Sequence, residues 1–150
     1  MPGKRVLFVC IGNACRSQMA EGFARAYGSD VIIPASAGLA PAMGVARDTK
    51  KAMAEKEIDL RDHFPKSIRH LGRAQFDLLV NMSGAKIPSD IASKTKVVEW
   101  DVEDPVSLSY EDHVKVRDEI EKLVMTLVLD LRREEKAPRL RGQGSGRLDL

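Results

Sequence analysis

The chain has 150 residues, two cysteines and a formal net charge of +2 at pH 7. That length suits one domain with a sizeable core, and so small a charge predicts neither a nucleic-acid nor a membrane partner. The apolar stretches are too short for a membrane span or a signal peptide. Two cysteines five positions apart are not the disulfide framework of a secreted protein. We therefore expect a cytoplasmic protein whose thiols stay reduced.

Strands and helices are predicted to alternate along the chain. The apolar runs predict strands at residues 5–10, 31–33, 76–80 and 96–100. The 3.6-residue periodicity and the breaker residues predict helices at residues 17–27, 48–56, 64–71 and 111–132. Gly28 is the predicted stop of the first helix. The stripe predicted to pack the last helix on the core consists of Val114, Ile120, Leu123, Val124, Leu127 and Leu131.

This alternation predicts an α/β fold, as a single three-layer α/β/α domain with a central four-stranded parallel sheet. Ligands of such sheets bind beyond the carboxyl ends of the strands. Cys10 ends the first predicted strand and Asp104 follows the fourth, so the fold can bring the two together. We place the domain at residues 1–132. Residues 133–150 are charged and rich in Gly and Arg, and we expect a solvated tail there.

One motif between the first strand and the first helix carries chemistry. It reads Cys10-Ile11-Gly12-Asn13-Ala14-Cys15-Arg16-Ser17. The N–H groups of such a loop, together with the helix N-terminus, form a phosphate-binding cradle. The planar fork of Arg16 can hold two oxygens of a tetrahedral anion. The same positive field favours a nucleophilic thiolate at Cys10. The predicted phosphate-binding residues are those from Ile11 to Ser17.

The filled pattern C-x-G-N-x-C-R-S resembles the low-molecular-weight protein tyrosine phosphatases and their relatives, the thioredoxin- and thiol-coupled arsenate reductases. Ser36-Ala37-Gly38 and Asp104-Pro105 also fall where that family keeps such residues. The resemblance implies a metal-independent hydrolase of phosphotyrosine that forms a cysteinyl-phosphate and needs no cofactor. It assigns Cys10 as nucleophile, Arg16 as phosphate clamp and Asp104 as general acid. By itself, Asp104-Pro105 would be a common turn dipeptide.

Four further residues are predicted to support the loop. Asn13 tolerates left-handed backbone, and the resemblance implies that its side chain braces the loop. Ser17 is a candidate helix N-cap, and the resemblance adds a hydrogen bond to the Cys10 thiolate. The resemblance also favours supporting roles for Ser36 and His63. Without it, His63 would be predicted to be an exposed loop histidine. The remaining histidines, His70 and His113, are predicted at the surface, and no residue spacing suggests a metal site.

The chain departs from the phosphatase pattern in the loops that hold the substrate. No aromatic residue directly follows Asp104-Pro105, so we expect Leu39, Met43 and Tyr110 as the walls. These loops look more like the arsenate reductase branch. Thioredoxin-coupled reductases need two further cysteines after the third strand, and no cysteine follows Cys15. An arsenate reductase that uses an external thiol therefore remains as the alternative, with a non-catalytic phosphate-binding module as a second.

The expected partners follow from these possible functions. They are a phosphorylated protein or a small aryl phosphate as substrate, and phosphate, arsenate or sulfate as bound anions. The resemblance also implies a redox role for the two cysteines, since related phosphatases with this second cysteine can form a protective disulfide. Cys10 and Cys15 would then pair after oxidation. The alternative is that Cys15 only packs the loop.

Overall fold

The computed structural model describes residues 3–71 and 74–136. Its strands are β1 (Lys4–Cys10), β2 (Ile32–Gly38), β3 (Leu78–Asn81) and β4 (Lys96–Glu99). Its helices are α1 (Arg16–Tyr27), α2 (Arg47–Ala54), α3 (Ser89–Ala92) and α4 (Tyr110–Lys136), with a 3₁₀ helix at Ile68–Leu71. The strands form one parallel sheet in the order β2-β1-β3-β4. The predicted α/β fold is confirmed.

Strand β1 is buried on both faces because its side chains alternate between two cores. Val6, Phe8 and Cys10 join the larger core, which packs against α1 and α4. Leu7 and Val9 join a smaller core on the opposite face, which the 3₁₀ helix and α3 cover. These two cores give the three layers that the alternation predicted.

Strand β2 is longer than the predicted residues 31–33. It pairs with β1 along its whole length, from Ile32 beside Lys4 to Gly38 beside Cys10. Pro34 lies inside it, which an edge strand tolerates because one side of its backbone needs no ladder partner. The small residues after Pro34, which lie beyond the predicted strand, therefore belong to β2 and place Gly38 directly beside the end of β1.

Helix α4 differs from its predicted apolar stripe by including buried polar residues. Its buried face contains Val116, Ile120, Val124, Val128 and Leu131, but also His113 and Arg117. His113 was wrongly predicted at the surface: it is only 3% exposed, and its Nδ1 lies 3.0 Å from the Thr49 hydroxyl on α2. α4 continues to Lys136, past the predicted boundary at residue 132. Residues 137–150 lie outside the described residues, so the tail stays a prediction.

None of the described helices combines the length and the apolar character that crossing a membrane requires.

Candidate active site

The loop that joins β1 to α1 has its carbonyl groups tied to the segment that follows β2. Backbone N–H groups of Leu39, Ala40, Ala42 and Ala46 donate to the carbonyls of Cys10, Ile11, Gly12 and Ala14 over 2.8 to 3.1 Å. The loop N–H groups from Ile11 to Arg16 donate to no acceptor among the described residues. With its carbonyls engaged outside, the loop offers its N–H groups to an anion, as the sequence predicts.

Two residues give the loop its tight backbone. Asn13 has a φ of 52°, a left-handed conformation that asparagine tolerates better than most residues. Gly38 lies against the loop so closely that a Cβ there would come within 2.7 Å of the Ile11 carbonyl oxygen and 2.9 Å of the Asn13 nitrogen. Only glycine fits at position 38, because the atoms it would meet are backbone.

A chain of hydrogen bonds orients a donor toward the sulfur of Cys10. Asn13 Nδ2 donates to the Ser17 hydroxyl oxygen over 2.7 Å, and that oxygen lies 2.9 Å from Cys10 Sγ. Because Ser17 accepts from Asn13, its single proton is available to the sulfur. Such a donor stabilises a thiolate. Ser17 does not cap α1: the helix begins at Arg16, and Cys15 takes the cap position without a side-chain bond.

His63 reaches this chain through a residue that the sequence analysis missed. The Gln18 amide is fully buried and donates to Asn13 Oδ1 over 3.1 Å. Its Oε1 lies 2.8 Å from His63 Nδ1, and because Oε1 can only accept, His63 donates. Burial is the main cause that lowers the pKa of His63, which favours the neutral ring. Gln18 thus connects His63 to Asn13.

The Ser36 hydroxyl bonds to helix α1, and among the described residues no hydrogen bond joins it to the loop. It donates to Glu21 Oε1 over 2.5 Å, and the other oxygen of Glu21 is paired with Arg25. Glu21 lies one turn beyond Ser17 on α1 and is buried. A buried carboxylate needs such partners. Ser36 therefore fixes helix α1, and its effect on the loop is indirect.

The guanidinium of Arg16 is held by two carbonyl groups on one side and, among the described residues, has a donor without a partner on the other. Its NH1 donates to the carbonyl oxygens of Met82 and Val102, the latter over 3.0 Å. Both carbonyls lie just beyond the carboxyl ends of strands. Its Nε is buried and has no hydrogen-bond partner within residues 3–71 and 74–136. A buried donor without a partner is costly, and an anion oxygen in the cradle would satisfy it.

Asp104 forms an ion pair with Arg16 on the same side of the guanidinium as Nε. Its Oδ2 is 3.3 Å from Arg16 NH2, and its side chain is 39% exposed. Its Oδ1 accepts the backbone N–H of Val106 over 3.0 Å, which fixes the direction of the carboxyl group. Asp104 can therefore exchange a proton with solvent and with a leaving group at the mouth of the cradle.

Cys15 occupies a buried position next to the predicted catalytic residues. Burial is the main cause that raises the pKa of its thiol from 9.0 to about 11, and the charge of Asp104 adds to the rise, while the Thr49 side chain opposes it. Both cysteines are free thiols in the structure. Cys15 is thus a protonated, poorly nucleophilic thiol at neutral pH.

Of the three residues expected to wall the substrate, Met43 lies on the segment that borders the loop, whereas Tyr110 and Leu39 make their contacts elsewhere. The Tyr110 hydroxyl donates to Glu55, which directly follows α2. That end of α2 is ~12 Å from the end that contacts the loop, at 1.5 Å per residue. Leu39 packs into the smaller core. Large apolar side chains that are exposed on the segments next to the loop include Ile11, Met43, Phe64, Val106 and Leu108. Of these, only Phe64 is aromatic.

Comparisons with known proteins agree with this geometry. The family model described as low molecular weight phosphotyrosine protein phosphatase matches residues 5–137. The glutaredoxin arsenate reductase of Synechocystis sp. is 32% identical over 128 residues, which cover 83% of this chain and 96% of that protein.

Two solved structures are similar over most of the chain. One is titled an arsenate reductase in the phosphate binding state, with a TM-score of 0.76 and 30% identity over 85% of this chain and 98% of that one. The other is a low molecular weight protein tyrosine phosphatase from T. tengcongensis, with a TM-score of 0.72 and 32% identity over 86% of this chain and 100% of that one.

Proposed function

Because the chain belongs to the low molecular weight phosphotyrosine protein phosphatase family, we propose that it is a metal-independent protein tyrosine phosphatase. It hydrolyses phosphotyrosine or small aryl phosphates through a cysteinyl-phosphate. One observation disfavours the form of arsenate reduction that relays a disulfide through further cysteines of the same chain. The chain has only two cysteines, whereas hydrolysis needs Cys10 and water and no further thiol.

The two chemical steps use residues that lie together at the loop. The Cys10 sulfur attacks phosphorus, and the bond to the phenolic oxygen breaks as Asp104 gives that oxygen a proton. The Nε–NH2 edge of Arg16 and the loop N–H groups hold the equatorial oxygens. Water then attacks phosphorus and gives its proton to Asp104, and the sulfur leaves as a thiolate. The Ser17 hydroxyl, 2.9 Å away, stabilises that leaving thiolate.

The anion that occupies the cradle need not be a phosphate ester. Phosphate, arsenate and sulfate have the same tetrahedral arrangement of oxygens, so each should compete for the loop. The similar arsenate reductase solved in a phosphate binding state supports this part of the proposal. A nucleophilic thiol must also stay reduced, which favours a cytoplasmic location.

Arsenate reduction with an external thiol is the second candidate, and the curated relatives favour it at least as strongly, one of them a glutaredoxin arsenate reductase. Cys10 would attack arsenic and displace water, forming a sulfur–arsenic bond. An external thiol would then attack the Cys10 sulfur, the bonding electrons would pass to arsenic, and arsenite would leave. A second thiol would reduce the mixed disulfide. The residues at and just after the end of β3, Asn81 to Lys86, include no cysteine, although an internal relay would need two there.

A paired assay separates these functions. We expect hydrolysis of para-nitrophenyl phosphate and of a phosphotyrosine peptide, unchanged by a chelator. The same protein is given arsenate with glutathione and glutaredoxin, or with thioredoxin, and NADPH oxidation is followed. Arsenate-dependent oxidation without ester hydrolysis would establish the reductase instead. Anion binding without either turnover would leave a phosphate-binding module.

Replacing Asp104 should affect substrates according to their leaving group. Asp104→Asn keeps the shape but cannot donate a proton, so hydrolysis of phenyl phosphate should fall ~10²–10⁴-fold. Hydrolysis of a substrate with a highly activated leaving group, such as a dinitrophenyl phosphate, should slow much less, because its phenolate leaves without a proton. Steady-state kcat on the two esters measures the difference. Equal losses on both would remove Asp104 from the proton-transfer role.

Oxidation should join the two cysteines, and we expect the reaction to be slow at neutral pH. Peroxide converts Cys10 to a sulfenic acid; the Cys15 sulfur attacks it, the S–S bond forms and water leaves. With the Cys15 pKa raised to about 11, the thiolate fraction, and hence the closure rate, should rise about tenfold per pH unit below that value.

The test compares wild type with Cys15→Ser. Both are inactivated with mild peroxide at several pH values and then treated with dithiothreitol. Wild type should recover more activity, and increasingly so at higher pH, with a Cys10–Cys15 peptide detected by mass spectrometry. Equal recovery and no such peptide would leave Cys15 with a packing role.

A further inference from the structure

We propose that Asn81 is a positioning residue that determines which edge of the Arg16 guanidinium faces the bound anion. The inference rests on the proposed function, because it concerns the clamp of the same site. Nothing in the sequence pattern of the phosphate loop points to Asn81, which follows β1 by more than seventy positions and ends strand β3.

The side chain of Asn81 organises the turn after β3. It is buried, and its Nδ2 donates to the Ala85 carbonyl over 2.8 Å and to the Glu99 carboxylate over 3.0 Å. Its Oδ1 accepts the Ser83 backbone N–H over 3.0 Å and the Ser83 hydroxyl over 2.6 Å. Gly84 completes the turn with a φ of 73°. One amide thus closes the turn and ties it to β4.

The residue inside this turn holds Arg16. Met82 donates its backbone N–H to the Val9 carbonyl over 2.7 Å, and its own carbonyl accepts from Arg16 NH1. The Asn81 carbonyl accepts the Trp100 N–H over 2.9 Å. Met82 is therefore fixed on both sides. Its N–H is bound by β1, and the N–H of the next residue, Ser83, is bound by the Asn81 side chain, so the Met82 carbonyl oxygen has a set direction.

This direction decides how the guanidinium is presented. NH1 is taken by the Met82 and Val102 carbonyls, which leaves Nε and NH2 as the parallel pair of donors. Nε has no partner among the described residues, and NH2 has only the 3.3 Å contact with Asp104. A two-donor edge matches two anion oxygens. If the Met82 carbonyl turned away, NH1 would keep only the Val102 carbonyl, and the guanidinium could rotate about that single contact.

The test uses Asn81→Asp, which keeps the shape, loses the amide donor and places a second carboxylate beside Glu99. Cys10 is alkylated with iodoacetate, an anion that Arg16 attracts, and with neutral iodoacetamide. We expect the ratio of the two rates to fall ~10-fold or more, since small misplacements of a binding group have large effects. Protection of Cys10 by inorganic phosphate should weaken by a similar factor.

Three further variants keep the result interpretable. Ser83→Ala removes the three hydrogen bonds that the Ser83 hydroxyl makes with Asn81 and Ala85 but leaves the Asn81 amide in place. It should lower the ratio, though less than Asn81→Asp, and it provides a test even if Asn81→Asp is too unstable to purify. Glu99→Gln added to Asn81→Asp returns a donor to the new carboxylate and should restore part of the ratio. Asp90→Asn, which breaks an exposed ion pair with Arg69, serves as the control and should leave the ratio unchanged.

Each outcome counts for or against the inference. A wild type with a preference for iodoacetate, lost in Asn81→Asp and partly restored by Glu99→Gln, supports it. Equal slowing by both reagents, or an unchanged ratio in Asn81→Asp and Ser83→Ala, overturns it while leaving the proposed function intact. A wild type without phosphate protection or preference for iodoacetate would overturn the anion cradle itself, and the inference with it.

Discussion

Cys10→Ser should reduce hydrolysis of aryl phosphates by ~10⁵-fold or more, the scale on which loss of a covalent nucleophile is measured in other enzymes. A serine hydroxyl at this position is a far weaker nucleophile than a thiolate. Among the described residues, the side chain hydrogen-bonded to the Cys10 sulfur is the Ser17 hydroxyl, which is not a base. The Ser17 hydroxyl is directed at the Cys10 sulfur by Asn13 and stabilises a negative charge there rather than removing a proton.

The variant should still fold and bind phosphate, because the sulfur contributes to neither the loop backbone nor the Arg16 clamp. Thermal unfolding and phosphate binding by calorimetry provide that control. Activity of the wild type should be the same with and without EDTA. A wild-type activity that EDTA abolishes and a divalent ion restores would contradict the cysteinyl-phosphate mechanism.

Arg16→Lys should have the next largest effect, a loss in kcat/KM of about 10³-fold, the lower end for an arginine that holds a transferring phosphoryl group. Arg16 performs two tasks at once. Its NH1 satisfies two backbone carbonyls, while Nε and NH2 form the edge offered to the anion. A lysine ammonium can be drawn to the carbonyls or to the anion, but it has no planar pair of donors for two oxygens.

A second buried arginine supplies a matched control. Arg117 donates to the Ala52 carbonyl over 2.9 Å and to Glu55 over 2.8 Å, joining α2 to α4 without reaching the phosphate loop. Arg117→Lys should lower the unfolding temperature yet leave kcat/KM within about threefold, as a structural role away from the chemistry implies. A comparable loss of kcat/KM in both variants would show that Arg16→Lys acts through general destabilisation.

The parts of this site that the sequence predicts are those within one continuous stretch. The octapeptide from Cys10 to Ser17 can be recognised from the sequence alone, because the strand, the loop and the helix N-terminus that form the cradle follow one another in the chain. The position of Asp104 near the loop could also be predicted from the sequence. Strands of a parallel sheet end at one edge, so a residue just past β4 can approach the end of β1.

The residues that the sequence did not predict act through distant partners. In the sequence Gln18 has no feature that distinguishes it from other helix residues. Its contact with His63 depends on the path that the chain takes after α2. His113 reads as a surface histidine, and only the packing of α4 on α2 brings it to Thr49. Asn81 differs, since a polar residue ending an apolar strand can indicate a buried turn. Its neighbours Ser83 and Gly84 could have indicated that turn.

The hydrogen bonds between the phosphate loop and the segment after β2 constrain the backbone of that segment more than its exposed side chains. That segment bonds the loop through main-chain N–H groups from Leu39 to Ala46, and the side chains of Leu39 and Val45 are fixed in addition by packing in the two cores. Met43 is fully exposed and can be exchanged without breaking any of these bonds. Evolution can therefore vary the exposed positions of this segment, and with them the surface proposed to meet the substrate, on an unchanged phosphate loop.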